Sequence, residues 1–160
     1  MRIGIGSDHN AFDLKESIKN YVIELGHEVV DYGCDDNCSE VDYPVVAFEV
    51  GNGIIVNNID RGILICGTGI GVAIAAGKIP GIRAALCHDV YSAERAQKSN
   101  NAQILTMGAQ IIGVEAAKKV VVAYLESEFT GGNSGRKVQQ IIDKEQEYLK
   151  GVAVNEETYQ

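Results

Sequence analysis

The residue types best suited to chemistry fall in one short run, Cys66-Gly67-Thr68-Gly69-Ile70-Gly71. It follows an almost continuously apolar stretch, residues 60–66, and leads into the alanine-rich residues 72–76. A glycine turn between a buried strand and a helix aims several backbone N–H groups at one spot, and the helix dipole favours negative charge there. Spacing separates the chemistries that use such a turn. A dinucleotide-binding G-x-G-x-x-G starting at Gly67 requires glycine where Val72 stands, and one starting at Gly4 meets His9 instead of its third glycine. A phosphate-binding P-loop has four residues between its glycines, then Lys and Ser or Thr; here five residues separate Gly71 from Gly77-Lys78, and Ile79 follows. A cysteine phosphatase closes its loop with a phosphate-clamping arginine, and residues 66–78 contain none. What remains is a cysteine at a strand's carboxyl end beside an anion cradle whose dipoles favour the thiolate. That arrangement suits a general base removing a carbon-bound proton, with the cradle stabilising the oxygen charge of the resulting enediolate. The competing reading of Cys66 is a small buried hydrophobe.

Other reactive types are more dispersed. Ser7-Asp8-His9 and His88-Asp89 each follow a strand-like run. Asp8 also reads as a helix cap, and His88 equally as a histidine satisfying a loop; His27 opens a strand and receives no role. Cys34 and Cys38 have C-x₃-C spacing in an acidic loop, but no second Cys/His pair offers the other two ligands zinc requires. No metal site is therefore expected, and the four cysteines (Cys34, Cys38, Cys66, Cys87) are expected as free thiols.

Short β-type runs alternate with longer helical ones to position these groups. Strands are expected over residues 2–7, 27–33, 60–66, 82–87 and 102–107, and helices over 12–25, 43–51, 71–78, 89–99, 114–126 and 137–149. Residues 131–135 read as a glycine-rich loop. The alternation predicts a doubly wound, Rossmann-like α/β domain: a five-stranded parallel sheet with helices on both faces, spanning residues 1–150, then a polar tail, 151–160. In such folds ligands sit beyond the carboxyl ends of the strands, where Ser7, Asp8, His9, Cys34, Cys66 to Gly69, His88, Asp89 and Gly108 fall. The second-to-last long helix, from Val114, has more apolar faces than one sheet contact needs, which suggests a subunit interface.

Composition bounds the rest. The 160 residues carry 14 basic and 22 acidic side chains, a net charge of −8. That excludes coating nucleic acid or binding an anionic membrane, which need a positive field, but not a small anionic substrate held by local cations. Residues 62–77 carry no charge, yet 16 residues with five glycines are too short and broken for a membrane span. With no apolar leader at the N-terminus, a cytoplasmic protein is expected.

Taken together, Gly6-Ser7-Asp8-His9, Asp42-Tyr43-Pro44, the run from Gly62 to Gly71, Lys78-Ile79-Pro80-Gly81-Ile82-Arg83-Ala84 and Asn100-Asn101-Ala102 resemble the ribose-5-phosphate isomerase B family, which includes the galactose-6-phosphate isomerase subunits. The resemblance covers residues 1–150 in order. It implies an aldose–ketose isomerase of phosphorylated sugars without metal or organic cofactor, acting as a homodimer or dimer of dimers whose sites are completed by the partner subunit. By the same resemblance Cys66 is the base, and Thr68 with the amides of Gly67, Gly69, Ile70 and Gly71 holds the enediolate oxygens. Asp8, Tyr43 and Asn100 would contact sugar hydroxyls, and His9 would lie near the phosphate.

The departures from the family pattern are informative. A ring-opening histidine usually precedes the Asn-Asn pair, and here Ser99 stands there, a poor acid or base at neutral pH. Where many members carry phosphate-binding arginines, this chain has Gln110, Asn133 and Lys137, with Arg136 adjacent; lysine is not equivalent to arginine for bidentate phosphate binding. Ribose 5-phosphate to ribulose 5-phosphate is the reaction the resemblance implies first. A tetrose 4-phosphate (erythrose 4-phosphate) or another sugar phosphate is the alternative: a tetrose's terminal oxygen is esterified, so it cannot close a furanose and needs no ring opening. His9 or His88 could instead open a ring from elsewhere. The alternative of another class is a binding domain that has kept the fold and lost the chemistry.

Overall fold

A computed structural model describes residues 1–36 and 41–151. Its order is β1 (Arg2–Ser7), a single 3-10 turn (His9–Ala11), α1 (Phe12–Glu24), β2 (Glu28–Asp31), α2 (Tyr43–Ile55), β3 (Arg61–Cys66), α3 (Ile70–Ala76), β4 (Ala84–Leu86), α4 (Val90–Lys98), β5 (Ile104–Gly108), α5 (Val114–Leu125) and α6 (Gly132–Leu149). The five strands form one parallel sheet in the order β2-β1-β3-β5-β4. The expected Rossmann-like architecture is therefore the observed one.

Both faces of the sheet are covered, which is why its central strands are apolar at successive positions rather than alternately. On one face Ile3, Ile5, Ile63, Ile65, Leu105 and Met107 pack with Leu14, Ile18 and Val22 of α1, Ala93 and Ala96 of α4, and Ala117, Val120, Val121 and Tyr124 of α5. On the other, Leu64, Cys66 and Ile104 pack with Val46, Ala47 and Val50 of α2 and Val72, Ala75 and Ala76 of α3. The second apolar face of α5 is thus used inside the chain, against α1 and α4. Exposed apolar side chains also lie on α2 and α3, at Val45, Phe48, Ile55, Ile70 and Ile74, and on α4 and α6, at Tyr91 and Ile141.

Three expectations about local structure need correction. The glycine run at 131–135 is not a loop, because α6 starts at Gly132 and takes Asn133 to Lys137 into its first turns. The second helix continues through Gly51 and Gly53 to Ile55; a Cβ at Gly51 would clash with the Ile79 side chain, so glycine there allows close packing rather than a stop. Cys34 is not a solvent-facing free thiol: it is buried and disulfide-bonded. Hydrogen bonds from Ser7 N–H to the Gly33 carbonyl (2.7 Å) and from Cys34 N–H to the Ser7 carbonyl (3.0 Å) draw this segment against the end of β1 and carry its side chain inward. Cys38 lies outside the described residues, as does the tail beyond residue 151. Cys66 and Cys87 are free.

Residues 62–77 form the end of β3, the glycine turn and α3, and no described helix is long and apolar enough to cross a membrane.

Candidate active site

Strand order fixes where the site can form. From β1 the chain passes to β2 on one side and then to β3 on the other, so the winding reverses between β1 and β3, and the crevice opens at their carboxyl ends. Cys66 is the last residue of β3, and the register that pairs Ser7 with Ile65 sets Asp8 beside it. On the other flank Cys66 pairs with Gly108, the last residue of β5.

The turn after Cys66 is built to hold its shape. Gly69 has φ +77°, a left-handed conformation that side chains strain to adopt, and it caps α3 without any side-chain hydrogen bond. Its N–H donates to Cys66 Sγ at 3.1 Å, and the Ile70 N–H donates to Thr68 Oγ1 at 3.3 Å. Cys66 is 5% exposed, whereas Thr68 and Ile70 face outward. From β5 and the residues just past it, Thr106 Oγ1 donates to the Gly69 carbonyl (2.8 Å), the Ala109 N–H to the Cys66 carbonyl (2.9 Å) and the Gln110 N–H to the Gly67 carbonyl (3.0 Å).

Other predicted residues close around this turn. Tyr43 opens α2, with Pro44 in the first turn, and its ring lies so near Gly71 that a Cβ there would stand 2.7 Å from it. Asp8 is buried and accepts the Asn10 N–H at 3.0 Å, so its capping role is real, and its neighbour His9 is exposed on the turn that follows. The Gln110 side chain lies against Gly67. His88, just past β4, accepts the Gly108 N–H on Nε2 at 2.9 Å.

Four predicted residues are not brought here by the chain that carries Cys66. Ser99 and Asn100 follow α4 and precede β5, at the amino ends of the strands, where Arg83 Nε donates to the Asn100 carbonyl at 3.2 Å. A strand of five residues separates them from the Cys66 end, about 15 Å at the usual rise. Arg136 and Lys137 are exposed on α6, where Lys137 lines a groove of about 700 Å³ with Gly77, Lys78 and Ile141, at the end of α3 away from Cys66. His88's bond to Gly108 and the Gln110 contact were not readable beforehand, since both join residues distant in sequence through the β4–β5 junction. Among the described residues no group of three or more His, Cys, Asp or Glu could hold a metal ion.

Comparison with known proteins shows the family and the fold. Residues 3–141 match the profile of the Ribose/Galactose Isomerase family. The chain is 49% identical over 141 residues to the D-erythrulose-4-phosphate isomerase of Pectobacterium atrosepticum, covering 88% of this chain and 93% of that one. It is also 49% identical over 138 residues to the Ribose-5-P isomerase B of Listeria innocua, covering 86% and 93%. Its fold superposes on Clostridium thermocellum Ribose-5-Phosphate Isomerase B with a TM-score of 0.89 at 41% identity, over 92% of this chain and 99% of that one.

Proposed function

The chain belongs to the Ribose/Galactose Isomerase family and is an aldose–ketose isomerase of sugar phosphates, and from this premise we propose that Cys66 is its base and an acyclic tetrose phosphate its substrate. The observation that carries the reading is the Cys66 sulfur at the switch point of the sheet, accepting the Gly69 N–H at 3.1 Å beside an uncapped helix start. As thiolate, Cys66 removes the proton from the sugar carbon next to the carbonyl. The electron pair moves toward the carbonyl oxygen and an enediolate forms, held by the Thr68 hydroxyl and the amides of the 67–71 turn. The thiol then returns the proton to the neighbouring carbon while the hydroxyl proton passes from the oxygen that becomes the new carbonyl to the former carbonyl oxygen, and aldose and ketose interconvert with no net gain or loss of atoms. Asp8 and Tyr43 border the place where the sugar hydroxyls would lie.

Substrate length follows from what is missing. Ser99 stands where the family's ring-opening histidine is expected, and His88 has Nε2 occupied by the Gly108 N–H. A tetrose 4-phosphate such as erythrose or erythrulose 4-phosphate has no furanose to open, and a relative at 49% identity bears the name D-erythrulose-4-phosphate isomerase. Ribose 5-phosphate is the second reading, favoured by the name of the Listeria innocua relative. The ratio of kcat/KM for the two substrates decides: a clear preference for ribose 5-phosphate removes the acyclic reading. Solvent deuterium entering the substrate beside the carbonyl tests the chemistry itself. Its absence with every tetrose, pentose and hexose phosphate would leave a binding domain.

Asn100, Arg136 and Lys137 would complete the site of a second copy, in a homodimer or dimer of dimers; the phosphate would meet Arg136 and Lys137 there together with His9. We place the enzyme in the cytoplasm, working without metal or organic cofactor.

A further inference from the structure

The hydrogen-bond ladder between β4 and β5 ends before β5 does. In a parallel pair, alternate residues of one strand point their N–H groups at the same neighbour. Along β5 these are Ile104, Thr106 and Gly108: the Ile104 N–H donates to the Arg83 carbonyl at 3.3 Å, and the Thr106 carbonyl accepts the Cys87 N–H at 3.1 Å. At Gly108 a continuing strand would supply a carbonyl, but β4 has stopped at Leu86 and the chain turns toward α4. The acceptor is instead His88 Nε2, 2.9 Å from the Gly108 nitrogen.

Gly108 is also the floor of the glycine turn. A Cβ on it would stand 2.5 Å from the Thr68 carbonyl carbon, and a Cβ on Gly69 would stand 2.6 Å from the Met107 carbonyl carbon and 2.7 Å from Leu86 Cδ1. The turn therefore rests on the last residues of β5 and on β4, the two strands that His88 ties together.

We infer that His88 is a positioning residue: by closing the open rung at Gly108 it fixes the surface on which Thr68 and Gly69 rest, and so the aim of the amides at the enediolate. The inference rests on the proposed role of that turn. It gives His88 a task other than ring opening, since the nitrogen nearest the turn is already engaged. Small displacements of such donors cost rate more than binding.

The test compares His88→Ala with His88→Gln, whose side-chain carbonyl can accept the same N–H. With the preferred sugar phosphate, His88→Ala is expected to lower kcat about tenfold or more while KM moves by less than about threefold, and His88→Gln to restore most of the lost kcat. In the free protein, amide exchange at Gly108 and Gly69 should accelerate in His88→Ala and return toward wild type in His88→Gln. Wild-type kcat in His88→Ala would overturn the inference. So would equal losses in both variants with unchanged exchange, which would mean that the ring acts on substrate directly. If wild type turns over no sugar phosphate, the isomerase reading fails, and the exchange rates still decide the role of His88.

Discussion

Cys66 and Cys87 are both buried thiols near strand ends, yet their surroundings set them apart. Burial, with Asp89 nearby, pushes the Cys87 thiol up to about 11, so it stays protonated at neutral pH. The Cys66 sulfur instead receives an amide N–H at the start of a helix. Cys66→Ala is expected to lower kcat by about 10²–10⁴-fold while substrate affinity stays within about tenfold, because a base acts in the transition state; single-turnover isomerisation and equilibrium binding measure the two effects. Cys87→Ala should leave kcat unchanged. Gly108→Ala should hurt both folding and turnover: the new methyl meets the Thr68 backbone, an overpacking worth about 1–3 kcal/mol, and both a thermal melt and kcat should register it. The turn from Cys66 to Gly71 was legible in the sequence because its chemistry is local, written in consecutive residues. The bond from Gly108 to His88 was not, since it depends on β4 being one rung too short.

Between β1, β2 and α1, a buried cation plays a comparable part. Lys15 has no exposed side-chain surface, and its Nζ donates to both Asp31 carboxylate oxygens at 2.9 Å and to the Cys34 carbonyl at 2.6 Å. Glu16 and Lys19 extend the network at its rim. Burial alone would raise the Asp31 carboxyl, but hydrogen bonds from Lys15, the Gly33 N–H and Lys19 outweigh it and hold it below the usual carboxylate value. The Lys19 hydrogen bond likewise lowers Glu16, and the Glu16 hydrogen bond raises Lys19. Carboxyls lowered in the folded state stabilise it above their unfolded values, about 4, and that stability fades as pH falls through the folded values. Denaturant midpoints should therefore drop in acid, and less steeply in Asp31→Asn. That variant leaves the buried ammonium with Glu16 and the Cys34 carbonyl but without its closest carboxylate, and should cost about 1–3 kcal/mol at neutral pH. Periodicity displayed the strands and most helices, since alternation and helical spacing are short-range signals. It could not show that Lys15, one charged residue among many on α1, turns inward to a strand 16 positions on. It also misplaced the start of α6, because glycine's weak helix propensity reads as a loop, whereas the Gly135 N–H closes a helical turn on the Gly131 carbonyl at 3.2 Å.

At the scale of the molecule, the predicted site residues divide between the two ends of the sheet. Catalysis in which a second copy supplies Asn100, Arg136 and Lys137 makes complementation possible. Cys66→Ala and a doubly neutralised Arg136/Lys137 variant, each inactive alone, should regain activity when mixed and re-equilibrated. One site per mixed dimer would be intact, so recovery should approach about a quarter of wild-type turnover; no recovery would mean that each chain builds its own site. The division was legible only through family resemblance, because nothing in a linear sequence says which chain a residue serves.

The helix that bears Arg136 and Lys137 is fastened lightly to its own chain. α6 buries only Val138, and its described tie to the turn before β4 is Glu145 Oε2 accepting the Gly81 N–H at 2.9 Å. Eighteen residues with so little anchorage should open long before the sheet does. Trypsin, given Arg136, Lys137, Lys144 and Lys150 as cleavage points, ought to clip this arm first from dilute protein and spare it in concentrated protein, leaving a truncated body that still melts cooperatively but has lost its grip on anions.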